Sequence, residues 1–287
     1  MNVKLQKFKE TFMRIVFTLC ACVSILAVLL ICIFLFANGI PTIAEIGTSK
    51  FLFGITWKPL ENLFGILPMI VGSIYVTAGA IIIGVPIGIL CAVFLAKFCP
   101  KKLYKIFKPA VDLLAGIPSI VYGFFGLVVI VPAMQYLFGG NGKSVLTASV
   151  MLGIMILPTI ISVSESAIRA VPESYYEGAL ALGATHERST FLATLPAAKS
   201  GITAGVILGI GRAIGEAMAV NMVAGNQAII PNSIFSGVRT LTSNIVLEMG
   251  YATDLHREAL IATSVVLFIF ILIINLLFSL VKKEKTK

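Results

Sequence analysis

Apolar residues along this chain come in runs too long for the buried helices of a water-soluble domain, and polar positions gather in short clusters between them. A membrane span needs about 20 apolar residues. Six runs qualify, at 14–37, 68–96, 107–136, 145–167, 202–224 and 259–281. The pattern predicts an all-α, polytopic bundle of about six transmembrane helices, forming a single membrane domain over 14–287 behind a short N-terminal segment, 1–13. The first run is longer than a signal-peptide core and lacks a small-residue cleavage site, so it is expected to be retained as a span.

Composition agrees: 58% of the 287 residues are hydrophobic and 12% charged, where a soluble domain carries about 25% charged residues. Lipid is therefore the solvent of most of the surface, which excludes a soluble enzyme. A net charge of +9 raises nucleic acid as a partner until its distribution is read. Loops alternate sides of a bilayer, and one set holds sixteen lysines and arginines against five in the other. The poor set is Lys50, Lys58, Lys143, Arg239 and Arg257; the rich set includes both termini, which are expected to be cytoplasmic, in a cytoplasmic (inner) membrane. The partner implied is the lipid bilayer, not nucleic acid. The cluster from Lys97 to Lys108 reads as an orientation signal at a short cytoplasmic turn in preference to a patch for acidic lipid.

Cysteine and histidine add no chemistry. Cys20, Cys22, Cys32 and Cys91 lie in apolar runs and Cys99 in a cytoplasmic loop, so no disulfide framework is expected. His186 and His256 fall on opposite sides of the membrane, which excludes a shared metal site.

Three polar stretches interrupt the bundle. The external loop 38–67 carries Phe51, Phe53 and Trp57 and is expected to pack on the outer rim. The external loop 225–258 shows turn signals at Pro231-Asn232 and Ser236-Gly237. The cytoplasmic stretch 171–200 has helix punctuation: Pro172 suits a first helical position, Gly183 a C-terminal cap, and Thr185 an N-cap for a second helix that is expected to end before Pro196. A helix-turn-helix projection follows.

Gly139-Gly140-Asn141-Gly142-Lys143-Ser144 imitates a phosphate-binding loop, but Leu137 stands where the first glycine belongs and an apolar span replaces the preceding strand. It reads as an external turn, so no ATP site is expected. The fifth run differs. Gly201, Gly205, Gly209, Arg212, Glu216 and Ala219 fall within an arc of about 80° on a continuous helix. A charge facing lipid costs at least about 3 kcal/mol, so this face is expected to line an interface or a pathway, with a self-neutralising Arg212–Glu216 pair as the structural alternative. Arginine suits an oxyanion because its planar fork donates two parallel hydrogen bonds. Glu216 could accept a hydrogen bond from the O–H of a protonated phosphate, which sulfate lacks near neutral pH. Pro86, Pro118 and Pro158 sit inside predicted spans, where kinks are expected, and 116–123 could open the third span.

Glu177-Gly178-Ala179, with Gly183 four residues on and Leu195-Pro196 further downstream, resembles the EAA motif of ABC-importer permeases, with Gly178 replacing the middle alanine. Over nearly the whole chain, Trp57-Lys58-Pro59, Phe64 to Ile70, Ile117 to Gly123 and Gly211 to Val220 resemble the C-type permease subunit of the phosphate-specific importer. That resemblance implies the type I importer (MetI-like) permease fold, with the EAA element as a coupling helix: Glu177, Gly178, Ala179, Gly183, Leu195 and Pro196 would serve ATPase coupling, and Arg212 and Glu216 the substrate pathway. It further implies an A-type permease as heterodimer partner, a homodimeric ATPase that binds ATP and Mg, and an external phosphate-binding protein. The function implied is ATP-driven phosphate import by alternating access; the same architecture serving sulfate or molybdate is the alternative. An intramembrane enzyme would need a catalytic constellation at membrane depth, and the chain has only Asp112 and Asp254 as aspartates and both histidines in loops.

Overall fold

The computed structural model describes the backbone of residues 3–284 and the side chains of 9–277, so the lysines at 4, 7, 282, 283, 285 and 287 lie outside the described side chains. Six helices in it are long and apolar enough to cross a membrane. The first, α1 (Val3–Ile46), continues well past residue 37. The short helix α2 (Thr48–Phe53) and a two-residue hairpin, β1 (Trp57–Lys58) against β2 (Leu63–Phe64), fill the rest of the 38–67 loop. Phe51, Trp57 and Phe64 are buried there, while Phe53 is 68% exposed and takes no part in the packing.

The second span is α3 (Leu67–Val93) with a π-turn to Phe98, and the fourth is α7 (Val145–Arg169). The fifth is one continuous helix, His186–Gly215, made of α9 (His186–Ser189), a π-turn over 190–194 and α10 (Leu195–Gly215). The sixth is α13 (Asp254–Glu284). Helix α7 is the centre of the bundle. Ile160, fully buried, is clamped between two glycines: a Cβ on Gly88 of α3 or on Gly209 of α10 would stand 2.8 Å from its side chain. Backbones approach this closely only where no side chain intervenes. By contrast α1 touches the bundle near one end, where Phe36 meets Phe268 edge-on at 5.8 Å and Gly39 abuts Val265.

Three expectations are corrected. The third span starts at Ser119, not at residue 107: helix α4 (Lys101–Gly116) stops at an extended Ile117-Pro118, and a new helix runs from α5 (Ser119–Phe125) through a π-turn into α6 (Val131–Phe138). Pro118 removes a donor and keeps Ile117 extended. Pro86 and Pro158 do not end their helices, and α3 and α7 continue through them. Second, no helix ends before Pro196; the π-turn over 190–194 shifts the hydrogen-bond register just ahead of the proline, and the helix continues. Third, the fifth helix does not reach 224. It ends at Gly215, Glu216 is extended, and a separate short helix, α11 (Met218–Val223), follows.

Candidate functional site

That third correction rearranges the candidate pathway. Gly205 and Gly209 of α10 are buried against Val163, Ser164 and Ile160 of α7, so the glycine stripe is a helix–helix seam. Gly211 and Gly215 have open space where a Cβ would stand. Arg212 sits in the last turn of α10, between the seam and the open side. It is partly exposed and donates one hydrogen bond, Nη1 to Thr159 Oγ1 of α7 at 3.2 Å. A guanidinium has five N–H donors, and among the described residues no other partner takes one. Arg212 and Glu216 form no ion pair among the described residues. The structural alternative of a self-neutralising pair is thus absent, and so is the shared helix face.

Glu216 lies beyond the helix end. Its Oε1 accepts from the N–H of Ala219 at 3.0 Å, satisfying an open donor at the start of α11, and its carbonyl accepts from Thr242 Oγ1 at 2.9 Å. Helix α11 packs on α5: Cβ atoms on Gly123 and Gly126 would fall 2.8 Å from Met222 Sδ and Val223 Cγ1. The break at 215–217 therefore holds Arg212 and Glu216 beside a discontinuous helix, lined by open glycines. A guanidinium with one donor engaged by Thr159, near a carboxylate with one oxygen engaged by Ala219, can meet a hydrated oxyanion there.

The other predicted set forms a projection at the opposite end of the fifth helix. Helix α8 (Glu173–Ala181) ends in a Schellman motif: Gly183, at φ +85°, donates to Leu180 at 2.8 Å and Ala184 donates to Ala179 at 3.1 Å. Thr185 Oγ1 then caps α9 by accepting from Arg188 N–H at 3.4 Å. Glu177, Gly178 and Gly183 are exposed, and Leu182 stands 91% exposed at the tip. Leu195 and Pro196 lie farther along the continuous helix. From His186 to Arg212 that helix spans about 40 Å, so one rod joins the projection to the arginine.

Two polar clusters went unnoticed in the sequence. At the EAA end, Glu165 of α7 is 2% exposed, accepts from Arg169 Nε at 2.7 Å and Tyr104 Oη at 2.8 Å, and faces Lys108 Nζ at 3.2 Å. Arg169 also donates to the Leu95 carbonyl at 2.7 Å, tying in the end of α3. The bond to Glu165, then burial, raise the Tyr104 phenol above its usual range. Burial opposes the charge of Lys108, but its bonds to Asp112 and Glu165 outweigh it and the ammonium titrates above the usual lysine range. At the other end Glu248 accepts from Trp57 Nε1 at 2.8 Å and Arg239 Nη1 at 2.6 Å and contacts His256 Nε2 at 2.8 Å, which fastens the 225–258 loop to the hairpin. The i, i+4 spacing of Glu165 and Arg169 at the end of an apolar run was the available signal for the first; the second unites residues up to 199 positions apart, Trp57 and His256.

Residues 84–286 match the family described as binding-protein-dependent transport system inner membrane component. The chain is 40% identical over 277 residues to a probable ABC transporter permease protein, YqgH, of Bacillus subtilis, covering 93% of this chain and 90% of that one. It is 37% identical over 265 residues to the phosphate transport system permease protein PstC of Mesorhizobium japonicum, covering 85% and 81%. Its fold is similar to that of a chain in an inward-facing structure of the MetNI methionine ABC transporter, with TM-score 0.63 at 20% identity over 81% of this chain and 100% of that one. With six spanning helices and this family match, the chain is a multi-pass inner-membrane protein, and it belongs to the family of inner-membrane components of binding-protein-dependent transport systems.

Proposed function

We propose that this chain is the C-type permease subunit of an ATP-driven importer of inorganic phosphate. The observation that carries the reading is Arg212: a partly exposed guanidinium with one hydrogen bond among the described residues, beside a break in a spanning helix. The phosphate permease of Mesorhizobium japonicum, similar over most of the chain, supports phosphate as the cargo. Catalysis is not assigned to this chain; ATP and Mg belong to a partner ATPase dimer.

In this reading both termini and the α8 projection face the cytoplasm, in keeping with the lysine-rich loops at that end. Leu182 and the exposed EAA face dock on the ATPase, an A-type permease completes the pathway, and an external binding protein delivers phosphate to the other end. Closure of the ATPase dimer displaces the projection, and the continuous fifth helix carries the displacement to Arg212. Glu216 keeps Oε2 for the O–H of a protonated phosphate while Oε1 holds α11.

Purification of a tagged chain with its partners, followed by reconstitution into vesicles, tests the assignment. ATP-dependent uptake of phosphate in preference to sulfate is expected. Uptake of sulfate or molybdate without phosphate would overturn the cargo, and purification without an ATPase would overturn the importer.

A further inference from the structure

Helix α4 is not part of a span, and its surface has three sectors. At about 100° per residue, Tyr104, Lys108 and Asp112 face α7, where they meet Glu165 and Ser162. Leu103, Ile106, Phe107, Ala110, Leu113 and Leu114 fill an arc of about 120° on the far side. Lys105 and Lys102 occupy the remaining flank and Lys101, in the first turn, stands at its border with the α7-facing sector, all exposed. The apolar arc is bare: Ile106 is 65% and Leu113 73% exposed, and none of the helix is buried. Phe107 leans on Phe94, in the π-turn that ends the second span, at 6.3 Å, which extends the apolar surface onto a spanning helix.

Its place in the chain fixes its depth. Helix α4 joins the end of the second span to the start of the third, so it lies where both leave the bilayer. A helix at that level with an uncovered apolar face and a lysine flank has the build of an interfacial helix. We propose that α4 lies in the surface of the lysine-rich leaflet and binds acidic phospholipid, with Ile106 and Leu113 in the acyl boundary and Lys101, Lys102 and Lys105 on anionic headgroups. Charge complementarity selects lipid over a protein occupant, since the three exposed lysines have no acidic side chain within ion-pair distance among the described residues. The ion cluster at Glu165 holds the helix in this attitude by its opposite side.

The inference needs only a chain in a membrane, and its test does not read transport. A bimane label on Ile106→Cys, in the assembled complex with its native cysteines replaced, is placed in nanodiscs of phosphatidylcholine and phosphatidylglycerol, one or the other brominated. Each lysine near an anionic surface is expected to give about a fivefold preference. Quenching should therefore be stronger with brominated phosphatidylglycerol, and the preference should vanish in Lys101→Gln/Lys102→Gln/Lys105→Gln. Equal quenching by the two lipids in the unaltered helix overturns the headgroup assignment, as does a preference that survives the triple change. No quenching by either means that protein covers the face, which overturns the lipid site altogether. Leu113→Cys repeats the measurement if the label at 106 prevents assembly.

Discussion

Replacing Glu165 by alanine removes the acceptor on which three donors from two helices converge. Glu165 is 2% exposed and bonds Arg169 at 2.7 Å and Tyr104 at 2.8 Å, with Lys108 at 3.2 Å. Deleting one member of a buried pair costs about 3–5 kcal/mol, because the partner is left uncompensated. Water offsets part of that here, since the Arg169 and Lys108 side chains are 44% and 24% exposed. The expected loss is therefore near the lower bound, about 3 kcal/mol. Glu165→Gln keeps one acceptor oxygen and should lose less, while Asp112→Asn, at a carboxylate 53% exposed, should cost about 1 kcal/mol or less. Equilibrium unfolding of the purified chain in mixed micelles, titrated with a denaturing detergent, reads these differences. A double-mutant cycle with Arg169→Ala should show strong non-additivity. If Glu165→Ala unfolds within about 0.5 kcal/mol of the unaltered protein, the cluster contributes no net stability and the reasoning fails.

Glu216→Gln retains an oxygen for the Ala219 N–H, so the chain break should persist while the preference for phosphate over sulfate in vesicle uptake falls; an unchanged preference removes Glu216 from selection. Gly183→Ala meets no neighbouring atom but forces a side chain onto φ +85°, costing about 1–2 kcal/mol, and the bulkier Gly183→Arg should uncouple ATP hydrolysis from import in paired ATPase and uptake assays. Two glycines make opposite predictions for stability. Gly123→Ala drives a methyl to 2.8 Å from Met222 Sδ and should destabilise by about 1–3 kcal/mol, whereas Gly178→Ala, in open space within α8, should stabilise by about 0.5–1 kcal/mol; reversal of that order in thermal melts would contradict the packing of α5 on α11.

The count of spans was legible because apolar length is a property of composition, which six separate runs display without reference to one another. Where spans break was not. The run through Phe107 to Tyr136 is apolar on both sides of Pro118, and only the amphipathic pattern of Lys101 to Leu114 distinguishes a surface helix from membrane. The end of the fifth helix is equally silent. Gly215 weakens it, yet the decisive partner is the Glu216 carboxylate turning to Ala219, a competition between caps rather than a hydropathy step. Pro196 misled in the other direction, since a π-turn accommodates it. Gly183 and Thr185 were readable because their capping roles depend on neighbours four residues away at most. Glu248, by contrast, is recognisable only after Trp57, Arg239 and His256 arrive from three segments.

The arginine carries the largest share of the account. Its bare donors make Arg212→Ala in the reconstituted complex the most direct measurement, with phosphate uptake and ATPase activity read on the same vesicles. Two charge-assisted hydrogen bonds to an oxyanion, at about 1.5 kcal/mol or more each, correspond to a fall in uptake of about a hundredfold or more, with Thr159 and the seam to α7 left intact and the complex still assembled. Uptake at the unaltered rate would place phosphate on some other path through the bundle.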